Sequence, residues 1–316
     1  MSEKRAFLFP GQASQFVGMA KDLCERFAVA REMFERANAV LGFDVQRICF
    51  EGPLEELTKT SITQPAIFIH SAIVAHILKE EKSFTPMMAA GHSLGEYSAL
   101  YAAGVLDFEA ALRLVKLRGE LMHQAGLTSP GTMAAIIGLS PEIVETVCSE
   151  VTAGMQSAGQ VVQCANFNSP EQTVISGSID TVTQAMAVAK ERGAKLAKKL
   201  SVGGAFHSPL MASARTGLQQ ALAATTFHAA RCPVYTNVTA KPEQDSSRLR
   251  ELLDQQLTRP VRWLATIENM ITDGAQSFYE VGPGSVLAGL MKRINKNFTV
   301  TTIGTVAELE KIGAMA

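Results

Sequence analysis

Apolar positions along this chain run in two rhythms, and the places where the rhythm changes outline a fold. Arg5–Phe9 is a short, nearly unbroken apolar run that stops at the turn Pro10-Gly11, and it reads as a buried strand. Helical periodicity follows over Val17–Leu41 and again over Pro65–Lys79, where Ile69, Ile73 and Ile77 recur four apart. Pro86–His92 is short, apolar and strand-like. Leu94–Ala103 and Phe108–Ala125 then read as helices, separated by Gly104-Val105-Leu106-Asp107 with Asp107 as N-cap. Strands that alternate with helices predict a parallel sheet covered on both faces.

The middle of the chain keeps a different order. "TMAAIIGL" reads as a strand, "SPEIVETVCSEV" as a helix capped by Ser140, and "QVVQCANF" and "QTVISG" as two strands. "SIDTVTQAMAVAKERG" follows as a helix and "AKLAKKLSV" as a strand. That β-α-β-β-α-β order is the ferredoxin-like unit. It is placed at 131–202, inserted into a larger α/β domain of 1–130 and 203–316, because strand–helix alternation resumes with "PVYTN", "SFYEV" and "GSVLAGLMKRI". The last dozen residues are expected to fray.

Composition narrows the class. Hydrophobic residues make up 47% of the 316 and charged residues 19%, enough for a sizeable core in a soluble protein. The formal charge of −1 argues against nucleic acid as a partner. No uninterrupted apolar run reaches 18 residues and the N-terminus lacks a signal-peptide core, so neither a membrane span nor export is expected. Cys24, Cys49, Cys148, Cys164 and Cys232 are odd in number and scattered, without metal-ligand spacing; they read as reduced, buried thiols of a cytoplasmic protein.

Candidate chemistry starts at Gly91-His92-Ser93-Leu94-Gly95, between a predicted strand and a predicted helix. Gly-x-Ser-x-Gly in that context is a nucleophile elbow. The turn is so tight that side chains two before and two after the serine would collide with neighbouring chain. The first N–H groups of the following helix lack intrahelical partners and can stabilise an oxyanion. The serine needs a base. His70 and His76 lie on an apolar helix and suit packing; His123 and His228 have no chemistry around them. His92 adjoins the serine but points the other way if the strand continues. His207, in "SVGGAFHSPLM", follows a predicted strand and two glycines on a loop, where α/β scaffolds offer working groups. No acid stands where a triad acid belongs: Asp107 reads as a helix cap and Asp180 lies in the inserted unit. A Ser–His pair whose imidazole rests on a backbone carbonyl is therefore predicted.

Arg118 adds a substrate clue. It falls inside the apolar stripe Ala111, Leu114, Leu121/Met122, Ala125, whereas Arg113, Lys116 and Glu120 fall outside it. An inward guanidinium needs a partner, and its planar fork suits a carboxylate. That carboxylate belongs either to an internal acid or to the substrate.

With these motifs in order, the sequence resembles the malonyl-CoA:acyl carrier protein transacylase family, which includes the acyltransferase domains of polyketide synthases. The likeness runs from "FLFPGQASQ" to "YEVGPGSVLAGLMKRI", nearly the whole chain. It implies a hydrolase-like, mostly parallel α/β domain with a ferredoxin-like insertion. It implies Ser93 as acyl-accepting nucleophile, His207 as base and Gln256 as the residue whose main-chain carbonyl holds the histidine. Backbone amides of Gln12 and Leu94 would form the oxyanion hole, and Arg118 would grip the malonyl carboxylate. His92, Met122, Asn168 and Phe206 are the remaining substrate-site expectations, Phe206 matching malonyl-selective members. Ala13 departs from the glycine many members carry in this loop.

The implied reaction needs no cofactor and releases coenzyme A. Its partners are malonyl-CoA and an acidic acyl carrier protein, met by Lys190, Arg192, Lys195, Lys198 and Lys199 or by Lys292, Arg293 and Lys296. A monomer is expected. The rival readings are a trans-acting polyketide acyltransferase, a serine hydrolase acting on acyl thioesters, and an idle scaffold that binds acyl carriers.

Overall fold

The computed structural model of the chain describes residues 3–155 and 159–313. The described residues form ten strands: β1 (Arg5–Phe9), β2 (Met88–Gly91), β3 (Thr132–Ile137), β4 (Val162–Ser169), β5 (Gln172–Gly177), β6 (Leu196–Lys199), β7 (Val234–Tyr235), β8 (Pro242–Glu243), β9 (Ser277–Val281) and β10 (Val300–Ile303). They build two sheets. One has the order β10-β9-β1-β2-β7-β8 and is parallel except for the β7–β8 pair. The other, β4-β5-β3-β6, is antiparallel throughout.

The parallel sheet is buried on both faces, so β1, β2 and β9 are buried along nearly their whole length, without the alternation of a half-exposed strand, and β9 includes the buried Glu280. Successive residues of β1 serve opposite faces. Phe7 and Phe9 join the large core with Phe34, Phe68 and Ile73, while Ala6 and Leu8 pack with Trp263, Ile267 and Phe278. In the antiparallel sheet, β3 and β5 are central, as the βαββαβ order requires. Ala134, Ile136 and Ile175 face the helices Pro141–Ala153 and Ile179–Glu191 in a separate core. Met133, Ala135 and Val174 on the other face join the large core, so the small sheet is seated on the parallel domain.

The Thr60–Lys82 helix positions the site. It starts a turn before the predicted Pro65, which it carries inside. Its length and mean hydropathy of 1.4 would suit a membrane span, yet 83% of its apolar window is buried within the protein. It crosses the Phe108–Thr128 helix at Gly119, where a Cβ would lie 3.0 Å from the Thr60 carbonyl oxygen and the Ser61 Cα. That close approach brings Arg118 and Met122 against Gln64.

Several expectations are corrected. The single helical stretch over Val17–Leu41 divides into Lys21–Arg26 and Ala28–Leu41, because Phe27 adopts extended backbone (φ −116°, ψ 126°) between them. Asp107 and Ser140 stand at N-cap positions, but neither side chain makes a capping hydrogen bond. Within the dozen residues expected to fray, Val306–Gly313 is helical and buries Leu309 and Ile312, and residues 314–316 lie outside the described residues.

His70 ties that tail to the core. Its ring is 1% exposed, and Nε2–H donates to the Gly304 carbonyl at 2.7 Å. Burial pushes its pKa down to about 4. On acidification the unfolded chain takes up this proton below about pH 6.5 while the folded chain refuses it. The stabilisation is therefore complete above the ordinary histidine pKa and is lost as pH falls toward 4. The expected loss is on the order of 3 kcal/mol. Thermal melts of His70→Gln, which keeps a donor for Gly304, should fall less between pH 6.5 and pH 4 than those of the wild type. Parallel curves would remove His70 from the acid response.

Candidate active site

The nucleophile turn stands at the carboxyl end of β2, at the C-terminal edge of the parallel sheet. A Cβ on Gly91 would lie 1.9 Å from the Gly95 carbonyl, and one on Gly95 would lie 2.1 Å from the Phe9 oxygen. Both positions therefore demand glycine. Ser93 between them has φ +52°, a left-handed conformation that costs a side-chain-bearing residue about 1–2 kcal/mol. The strain is held by Asn237, which follows β7. Its Oδ1 accepts from Ser93 N–H at 2.7 Å, and its Nδ2 donates to the Gly91 carbonyl at 2.6 Å.

His207 meets this serine from the loop after β6. The strand expected over "AKLAKKLSV" ends at Lys199, so His207 sits on a longer irregular segment than predicted, itself at φ +56°. Its Nδ1–H donates to the carbonyls of Gln256 (2.9 Å) and Arg259 (3.2 Å). Nδ1 therefore carries the proton and Nε2 keeps its lone pair. Ser93 Oγ–H donates to that Nε2 at 2.7 Å. Among the described residues no carboxylate orients the imidazole. Gln163, from β4, donates to the His207 carbonyl at 2.8 Å and so ties the small sheet to this loop. Burial, then the charge of Arg118, pushes the His207 pKa down to about 3, so the ring is neutral and its Nε2 free to accept a proton.

Arg118 is fully buried beside them. Nη2 donates to Ser93 Oγ and to Gln256 Oε1, both at 3.0 Å, and Nη1 donates to Gln64 Oε1 at 2.5 Å. Its guanidinium carbon stands 5.6 Å from the Tyr97 ring centroid, and its Nε has no acceptor. Among the described residues Arg118 forms no ion pair. Every neighbour it touches is neutral, so the cation has no internal carboxylate in contact.

Residues 6–312 match the acyl transferase domain family. The malonyl CoA-acyl carrier protein transacylase of Escherichia coli K12 is 44% identical over 298 residues, covering 94% of this chain and 95% of that protein. That of Bacillus subtilis 168 is 43% identical over 307 residues, covering 97% and 95%. This chain belongs to the malonyl-CoA:acyl carrier protein transacylase family. An acyl carrier protein S-malonyltransferase from Vibrio cholerae superposes with a TM-score of 0.93 at 42% identity, covering 98% of this chain and 100% of that one. A malonyl-transacylase solved in complex with its type II polyketide synthase acyl carrier protein gives a TM-score of 0.94 at 41% identity, with both chains fully covered. The hydrolase-like α/β architecture with a ferredoxin-like unit agrees with these neighbours.

The remaining expected residues of this acyltransferase can be placed individually. Neither the Gln12 nor the Leu94 N–H has an acceptor among the described residues. Gly11 packs so closely on the elbow that a Cβ there would lie 2.5 Å from the His92 oxygen, and Gln12 Oε1 accepts from Gln64 Nε2 at 3.4 Å. Ala13 takes φ +79°, a left-handed conformation that glycine would adopt without strain. His92 turns away from Ser93: Nε2–H donates to Asn168 Oδ1 at 2.8 Å, and the ring lies 5.5 Å from that of Trp263. Met122 Sδ accepts from Gln64 Nε2 at 3.3 Å. Phe206 is buried in the large core next to the base, packed over Gly204.

Gln64, Glu96, Gln163 and Asn237 were not anticipated. A glutamine on the buried Thr60–Lys82 helix was the available signal for Gln64. For Asn237 and Gln163 the sequence carries none.

Proposed function

We propose that this protein transfers a malonyl group from malonyl-CoA to the phosphopantetheine thiol of an acyl carrier protein, through a malonyl ester on Ser93. The observation that carries the reading is a buried guanidinium with no carboxylate in contact with it among the described residues, 3.0 Å from the nucleophilic oxygen. A thioester with a free carboxylate at the far end offers one group to each of them.

His207 Nε2 takes the Ser93 proton as Oγ attacks the thioester carbonyl. The N–H groups of Gln12 and Leu94 stabilise the oxyanion, and Arg118 holds the malonyl carboxylate. The intermediate collapses, the carbon–sulfur bond breaks, and coenzyme A leaves with the proton held by His207. The carrier thiol then gives its proton to His207, its sulfur attacks the ester, and Ser93 is released with that proton. The thioester supplies the activation, so no cofactor is used. Asn168, held by His92, is assigned to the substrate side of the elbow, and Met122 and Phe206 to the acyl side.

The enzyme is read as a cytoplasmic monomer supplying fatty-acid synthesis, with domains 1–130 plus 203–316 and 131–202. The polyketide neighbour favours trans-acting polyketide supply as a second reading. In either case the acidic carrier is met by exposed lysines. Arg192 and Lys195 pair with Glu150 and Glu171, and Arg293 donates to Gln172, whereas among the described residues Lys198, Lys199 and Lys292 carry no such partner and are the better docking candidates.

Intact-mass measurement after mixing with malonyl-CoA tests the proposal. One malonyl group should add to the wild type and none to Ser93→Ala. Rapid release of free malonate, without transfer to a carrier thiol, would make the protein a thioester hydrolase instead.

A further inference from the structure

Glu96 stands in the first turn of the Gly95–Ala102 helix, 1% exposed, and the transfer steps give it no task. Its Oε2 accepts from Gln256 Nε2 at 2.6 Å and from the Asn237 N–H at 3.3 Å. These two neighbours hold the reacting groups. Gln256 Nε2 also donates to the Ser93 carbonyl at 2.9 Å, its own carbonyl orients His207, and its Oε1 accepts from Arg118. Asn237 grips both limbs of the elbow.

The Gln256 amide is thus aligned between a cation and an anion, oxygen toward Arg118 and N–H toward Glu96. A buried carboxylate is expensive unless its charge is compensated. Resting on the malonyl-transfer reading, we propose that Glu96 is a positioning residue: through the Gln256 amide it acts as a resting counter-charge to Arg118, and it takes up a proton when the substrate's carboxylate binds that guanidinium.

The other titratable groups packed around Glu96 do not supply the charge. Tyr97, on the same helix, is kept protonated by burial; Asp254, at the end of the Ser246–Gln255 helix, is paired with Arg215; and His207 is neutral. Burial pushes Glu96 up to about 7, with Gln256, Asn237 and Arg118 pulling the other way, so both charge states are populated near neutrality.

Binding and protonation are reciprocal: if ionised Glu96 weakens carboxylate binding, carboxylate binding favours its protonation. Raising pH through 7 ionises Glu96, so the wild-type KM for a malonyl thioester should rise over that range. Glu96→Gln offers an oxygen to the same two donors but no charge. Its KM should stay flat, about tenfold below the wild-type value at pH 8.5.

A second measurement needs no variant. The acylation itself exchanges one serine proton for one thiol proton, so net proton uptake reports on the protein. Weakly buffered wild type mixed with malonyl-CoA at pH 7.5 should take up a fraction of a proton, read by an indicator dye. A pH-independent wild-type KM, or no uptake, overturns the relay while the malonyl adduct on Ser93 still stands. Absence of that adduct overturns the transfer reading and the relay with it.

Discussion

His207→Ala should lose malonyl loading of Ser93 by about four to six orders of magnitude, with the fold intact. The expectation follows from one lone pair. Both carbonyls that face Nδ1 fix the tautomer, so Nε2 is the proton acceptor 2.7 Å from Ser93 Oγ. Removing the ring leaves the hydroxyl with Arg118 as its remaining neighbour, a donor that cannot take a proton. The wild-type profile should differ from that of an exposed histidine. A base works while unprotonated, and burial plus the Arg118 charge hold this one near 3 rather than at its ordinary value. The His207 limb of the acylation rate should therefore lie well below pH 6.5, so that loading persists in mild acid. Quenched intact-mass kinetics at pH 5 to 8 measure both effects. A variant that keeps a tenth of the wild-type rate would remove His207 as the base.

What was legible in the sequence was local. The elbow is written in five consecutive residues because steric exclusion at Gly91 and Gly95 acts within one turn. The ferredoxin-like unit was legible because each of its elements keeps its own period. Arg118 was legible because a charge interrupts an apolar stripe on a single helix. The misreadings share a different cause. Phe27 breaks a helix while leaving the apolar positions on either side in phase, so periodicity passes over the break. The segment after Lys199 has strand-like composition, but its pairing goes no further than Leu200 N–H on the Met133 carbonyl near the start of β3, and it becomes the irregular loop that carries His207. Hydrogen bonds that span the fold left no pattern at all. Asn237 reaches Ser93 across 144 positions, and Gln256 reaches Glu96 across 160. The resemblance pointed to the Gln256 main chain, whereas its side chain proves to join Arg118, Ser93 and Glu96 as well.

Arg118→Ala should lower malonyl transfer relative to acetyl transfer by tenfold to over a hundredfold, the ratio that corresponds to losing a charged hydrogen bond of about 1.5–3 kcal/mol. The ratio is the informative quantity, because Arg118 also touches Ser93 Oγ and Gln256 Oε1 and its loss disturbs every acyl transfer. A second consequence separates the clamp from mere packing. The guanidinium helps hold His207 below the usual imidazole range, so its removal should raise the pKa of the base. The acid limb of the acetyl-transfer rate would then move up in pH, toward 6.5, and the variant would lose activity in mild acid where the wild type keeps it. By the same sign, a malonyl carboxylate seated on Arg118 offsets the positive charge and makes His207 a stronger base when the correct substrate is in place. Recognition and activation are then one electrostatic event. Steady-state rates for malonyl and acetyl thioesters from pH 5 to 8, in wild type and Arg118→Ala, test both parts. An unchanged malonyl-to-acetyl ratio would sink the clamp, and an unmoved acid limb would sink its link to the base.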